Sequence, residues 1–115
     1  MPVPKKILIG TQSWEIIERS RKVDAALSED DYGYTLSKEN RIVIDADLTD
    51  SRKRQTLFHE LMHAVRFTMG GYVTPKKSDD VDTWEHYFIG MYEEGLLLTL
   101  QTNPDLLEFL IEDYA

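Results

Sequence analysis

The chain has 115 residues, no cysteine and a formal net charge of −8; the length suits one domain over residues 1–115, and the lack of cysteine excludes disulfides and thiolate metal sites. With 42% hydrophobic and 30% charged residues it falls in the ordinary globular range, away from disordered composition. The acidic excess lies in residues 72–115, where the only cations are Lys76 and Lys77. Such a surface repels phosphate backbones, so no direct nucleic-acid partner is expected.

At the start, Lys5 and Lys6 precede only Ile7, Leu8 and Ile9 before Gly10, too short an apolar run for a signal peptide. The run Leu96-Leu97-Leu98 is likewise far too short to cross a bilayer. The expectation is a cytoplasmic protein with no membrane partner.

Residues 5–20 hold two apolar runs on either side of Gly10-Thr11-Gln12, which predicts a hairpin or two short strands. Charged and small residues dominate from Arg21 to Asp31, predicting a loop or one short helix. Tyr32 to Ser37 and Arg41 to Asp45 then flank the polar connector Lys38-Glu39-Asn40, which reads as a second pair of antiparallel strands. The strand Arg41 to Asp45 could either accept an extended substrate by strand addition or lie inside the sheet.

After Asp50 the apolar period lengthens from two to about 3.6, with Leu57, Leu61, Met62, Val65 and Met69 on one stripe. This predicts a helix, capped by Thr49 or Asp50 and stopped by a left-handed turn at Gly70-Gly71. A polar loop, Tyr72 to Ser78, leads to a second long helix from about Val81 to Gln101. Asn103, Pro104 and Asp105 read as N-cap, first-position proline and acidic first turn of a short last helix. Strands followed by helices make the class α+β.

Two of the three histidines, His59 and His63, sit four apart on the first helix with Glu60 between them. That spacing stacks both imidazoles on one face, where rotamer choice can close them onto one divalent ion. Glu60 lies about 100° around the helix from His59, where it can reach a water held by the ion and act as general base. His/Glu/Asp donors suit Zn2+ once thiolates are absent.

A catalytic zinc needs a third protein ligand and an open position. Position 69, where one zinc-peptidase pattern would carry a further histidine, holds Met69, so the ligand must come from elsewhere. The second helix offers Asp82, Glu85, His86, Glu93 and Glu94. Glu85 is the first choice, because its separation of 22 positions from His63 allows a helix end, a loop and an antiparallel return. His86 is the rival, imidazole being an equally common ligand. The reaction expected of this set is peptide-bond hydrolysis of a protein or peptide substrate. The alternative is a non-catalytic binding protein whose acidic last third holds a protein partner.

Tyr32-Gly33-Tyr34, Arg41 to Asp45, Arg54 to Ala64 with its His59-Glu60-Leu61-Met62-His63, and an acidic second helix ending at Leu100 to Asp105 resemble small phage- or prophage-type zincins. These are related to the ImmA/IrrE metallopeptidases and the minimal glutamate-zincins. The resemblance implies a zincin-like fold: a small, mostly antiparallel sheet of three to four strands, packed on the His59–His63 helix and a second long helix, with a short C-terminal helix. It also implies a glutamate from the second helix as third ligand, which falls near Glu85, although Trp84-Glu85-His86-Tyr87 departs from the paired acids expected there. In the ImmA/IrrE group the substrates are often regulatory proteins.

Overall fold

A computed structural model describes residues 1–27, 31–70 and 74–112. Strands β1 (Lys6–Ile9), β2 (Gln12–Arg19), β3 (Gly33–Leu36) and β4 (Arg41–Asp45) precede helices α1 (Asp50–Met69), α2 (Val81–Tyr92), α3 (Gly95–Thr102) and α4 (Pro104–Ile111). The class is α+β. No helix of the described residues is long and apolar enough to cross a membrane.

β1 and β2 form the expected hairpin, with Ile9 opposite Gln12 and Gly10 at φ 58°. This left-handed backbone is cheap for glycine and strained for most other residues. β3 and β4 form the second hairpin, Leu36 opposite Arg41, through a 3-10 turn at Ser37–Glu39 and a left-handed Asn40 at φ 51°. The segment Arg21 to Leu27 contains turns and no helix; residues 28–30, the rest of that connection, lie outside the described residues.

Two of the three pairings are antiparallel, in line with a mostly antiparallel sheet, and the sheet is mixed only at its centre. Its order is β1-β2-β4-β3, and β4 runs parallel to β2. The chain leaves β2 at Arg19, enters the far edge as β3, and the tight hairpin returns β4 into the middle beside β2. β4 is paired on both edges, and burial of side chains on both of its faces accounts for the unbroken run Ile42-Val43-Ile44, all fully buried. Strand addition to β4 is therefore excluded; β3 is the strand at that edge.

One face of the sheet carries Ile7, Ile9, Trp14, Ile16, Ile42 and Ile44 into a core completed by Leu57, Leu61, Ala64 and Val65 of α1 and Leu106 and Phe109 of α4. The segment after β2 reaches residues of opposite parity. Arg21 donates through Nε and Nη2 to Asp45 Oδ2, at 3.0 and 2.9 Å, and the Tyr34 hydroxyl donates to Asp24 at 2.6 Å.

Thr49 caps α1 as expected, its hydroxyl accepting from Arg52 N–H at 3.4 Å. The end of α1 differs. Gly70 is extended, with φ −76° and ψ 124°, and not left-handed. Glycine is required there because a Cβ would come within 2.5 Å of the Arg66 carbonyl oxygen. Gly71, Tyr72 and Val73 lie outside the described residues.

The single long second helix expected over Val81 to Gln101 is two helices, interrupted at Glu93 and Glu94. Gly95, the first residue of α3, sits so close to α1 that a Cβ would lie 3.0 Å from Val65 Cγ1. Thr99, fully buried, donates to the Gly95 carbonyl at 2.7 Å, a back-bond that bends helices. Glu93 (φ −56°, ψ −41°) and Glu94 (φ −90°, ψ −50°) keep right-handed helical backbone angles, so the interruption is short. Asn103 likewise does not cap α4 with its side chain. Its Oδ1 accepts from Leu8 N–H at 2.8 Å and its Nδ2 donates to the Leu8 carbonyl at 2.7 Å, which closes part of the edge of β1.

Candidate metal centre

His59, Glu60 and His63 share the middle of α1, with the buried Leu57, Leu61, Ala64 and Val65 turning the opposite side to the core. The His59 ring is 68% exposed and the Glu60 side chain 9%. The histidines thus stand at the surface while the acid between them is enclosed. The two imidazole rings are 5.1 Å apart, centre to centre, inclined at 66°.

That distance bears on whether the pair fits one ion. With ring nitrogens about 2.1 Å from a tetrahedral zinc and about 1.1 Å from their own ring centres, two bound rings have centres about 5.2 Å apart. The histidine pair meets this separation.

Glu60 is held from the sheet side. Thr35 of β3 donates its hydroxyl to Glu60 Oε1 at 2.9 Å, with the Glu60 carbonyl oxygen at 3.3 Å. Oε2 lies 3.8 Å from His59 Nε2. The alternation of β3 puts Gly33 and Thr35 on the face toward α1 and Tyr34 on the other. Gly33 permits the approach, since a Cβ there would meet the Val43 carbonyl oxygen at 2.8 Å, Thr56 Cγ2 at 2.9 Å and Glu60 Cγ at 3.4 Å.

Two hollows flank this group and share Asp31, Gly33, His59 and Glu60. One, of about 260 Å³, runs to Tyr32, Arg52 and Gln55; the other, of about 320 Å³, runs past Thr35 and Ser37 to His63. Together they form a trough along the outer side of β3. Tyr32 and Tyr34 both line it, and the Tyr34 hydroxyl is committed to Asp24. Burial, and then the hydrogen bond to Asp24, push the Tyr34 pKa up, while the same bond is the largest cause holding Asp24 below the usual carboxylate range. Tyr87 lies within 3.5 Å of the Thr74 hydroxyl, and Tyr92 packs against the core.

Glu85 and His86 are exposed on α2, and among the described residues no third His, Asp or Glu joins the histidine pair in a group able to hold an ion. The structure thus brings together His59, Glu60 and His63, and not Glu85 or His86. His86 Nδ1 lies 2.9 Å from the Asp82 carbonyl oxygen. That carbonyl, and then the Asp82 charge, push the His86 pKa up, favouring the cation over the neutral form a metal requires. Asp82 is exposed on the same helix, and Glu93 and Glu94 occupy the break after it.

Thr35 and Gly33 were not singled out by spacing. Their only signal was the alternation that pairs them on one face, and the hydroxyl's partner lies 25 residues away.

The family model of Peptidase_M78, the IrrE N-terminal-like domain, matches residues 18–91, from the end of β2 to the last turn of α2. No curated protein and no solved structure matches the chain significantly.

Proposed function

Because this chain belongs to the Peptidase_M78 family of IrrE N-terminal-like domains, we propose that it is a zincin-like, zinc-dependent metallopeptidase that hydrolyses peptide bonds with Glu60 as general base. The family suggests a metallopeptidase-type function, and the observation that carries the finer reading is the spacing of His59 and His63 beside an enclosed Glu60.

In this reading His59 and His63 hold the ion, and Glu85 from α2 is the third ligand, with His86 as the weaker candidate. Zinc bound there would supply Lewis acidity, polarising the scissile carbonyl and making a water easier to deprotonate. A peptide laid along the outer edge of β3 by strand addition would bring its carbonyl over α1 beside the histidines. Glu60 takes a proton from water as the water oxygen bonds to the carbonyl carbon. It returns that proton to the amine nitrogen as the C–N bond breaks, so that acid and amine leave and the carboxylate is restored. Its enclosed position keeps bulk water from competing for the proton.

The test is Glu60→Gln in the full chain, assayed with zinc on a peptide library. General-base catalysis contributes about 10²–10⁴-fold, so turnover should fall by at least that lower figure while zinc content stays at the wild-type value. Zinc-loaded wild type that cleaves nothing, or a glutamine variant as active as wild type, refutes the proposal.

A further inference from the structure

We propose that Thr35 is the positioning residue of this site: its hydroxyl fixes which oxygen of the Glu60 carboxylate faces the histidines. The role rests on the peptidase reading; the hydrogen bond that carries it can be measured without that reading.

A threonine hydroxyl has one proton to give. The Glu60 carbonyl oxygen, at 3.3 Å, lies within α1, where the helical ladder already offers it a donor, while Oε1 is closer, at 2.9 Å, and carries charge. The proton therefore belongs on Oε1. With that oxygen held, rotation about the last side-chain bond of Glu60 is arrested, and Oε2 is the oxygen left 3.8 Å from His59 Nε2, on the side where an ion and its water would sit. This hydrogen bond is what distinguishes the two oxygens of the enclosed carboxylate, Oε1 on the Thr35 side and Oε2 on the His59 side.

The sheet supplies the rigidity. β3 is locked to β4 by a four-pair antiparallel register, and β4 lies inside the sheet, so the hydroxyl is mounted on the body of the fold and not on a loop. Gly33, two residues earlier on the same face, allows β3 to approach α1 closely enough for the bond. The pattern Gly33-x-Thr35 thus couples a missing side chain to a donor, each required by the other's position.

The experiment compares Thr35→Val, which keeps shape and loses the donor, with Thr35→Ser, which keeps the donor and loses the methyl. Misplacing a catalytic group by about 1 Å can cost about 10²-fold. Thr35→Val should therefore lower kcat about 10- to 100-fold, with KM and zinc content near wild type, and Thr35→Ser should stay within about threefold of wild type. In metal-free, isotope-labelled protein the Glu60 side-chain carboxyl resonance should move in the valine variant and hold its place in the serine variant. Valine turnover equal to wild type, a serine variant as impaired as the valine one, or a carboxyl resonance unmoved by valine overturns the role. An inactive wild type would sink the peptidase reading, and the carboxyl resonance would then decide whether Thr35 holds Glu60.

Discussion

Gly33→Ala tests the packing that builds the site. The added methyl would meet two neighbours closer than 3.0 Å: the Val43 carbonyl oxygen at 2.8 Å, which is backbone of the central strand, and Thr56 Cγ2 at 2.9 Å, a short branched side chain on α1. Neither can swing away. Overpacking of this kind costs about 1–3 kcal/mol, and the lower unfolded-state entropy of alanine returns up to about 1; for a clash with backbone, in the upper half of that range, this leaves a loss of about 1–2 kcal/mol. At about 2.1 cal/mol/K per residue, a chain of 115 residues gains about 0.24 kcal/mol/K of entropy on unfolding, so the melting temperature should fall by about 4–8 °C. Gly95→Ala is the control. Its methyl would meet Val65 Cγ1 at 3.0 Å and Met69 Cβ at 3.3 Å, side-chain atoms that yield more readily, and the gain in helix propensity of about 1 kcal/mol offsets the crowding. Its change should stay within about 4 °C. Thr56→Ser in the Gly33→Ala background removes the methyl contact and leaves the carbonyl one, so a double-mutant cycle should show partial rescue with a coupling of about 0.5–1 kcal/mol. Thermal unfolding followed by circular dichroism reads wild type, Gly33→Ala, Thr56→Ser, the double variant and Gly95→Ala. A Gly33→Ala protein that melts no lower than Gly95→Ala would refute the close approach of β3 to α1.

The remaining predictions concern the ion, an internal ion pair and the edge of β1. His63→Ala should lose zinc that the wild type retains through dialysis, and Glu85→Gln should weaken zinc binding while His86→Ala leaves it near wild type; elemental mass analysis of the dialysed proteins checks this, and equal retention in all would remove both ligand assignments. Asp45 is 1% exposed; burial alone would raise its pKa, but the Asp47 N–H and the Arg21 guanidinium outweigh it and hold the carboxyl below the usual range. Its stabilisation is therefore fully present above the unfolded carboxyl value of about 3.9 and is lost as pH falls from there through the depressed folded value. In urea unfolding, wild type should exceed Asp45→Asn at pH 7, with the gap narrowing at pH 3; a gap of constant width would contradict the assignment. Asn103→Ala removes both hydrogen bonds to Leu8, at a net cost of about 1–2 kcal/mol. The Leu8 amide should then exchange with solvent faster while the amides of β4 hold their rates, and unchanged Leu8 protection would refute the bridge.

What was legible in the chain is what neighbours along it decide. The 3.6-residue period from Leu57 to Val65, the Thr49 cap and the four-residue step from His59 to His63 act within one or two turns of helix, so α1 and its paired imidazoles follow from residues that touch one another. The same holds for the hairpins, whose turns rest on Gly10 and Asn40. Contacts across long stretches of chain were decided elsewhere. Parallel pairing of β2 with β4 depends on where β3 enters the sheet, and no local preference encodes that order. The helical period continues across Glu93 and Glu94, yet the regular helix is interrupted there, just before Gly95 comes against Val65 and Met69 of α1. Asn103, read from its neighbours as a cap, spends its amide on a strand 95 residues away.

The residues alone therefore determined a chemistry: two imidazoles one turn apart with a carboxylate between them, in a chain without thiols. Only the tertiary structure decided how that carboxylate is held, because Thr35 and Glu60 are 25 residues apart and meet through the sheet register that carries β3 against α1. Geometry within a helix is set by bonds a few residues long, whereas the facing of two elements is set by burying the surfaces between them, and that choice is made by the whole core at once.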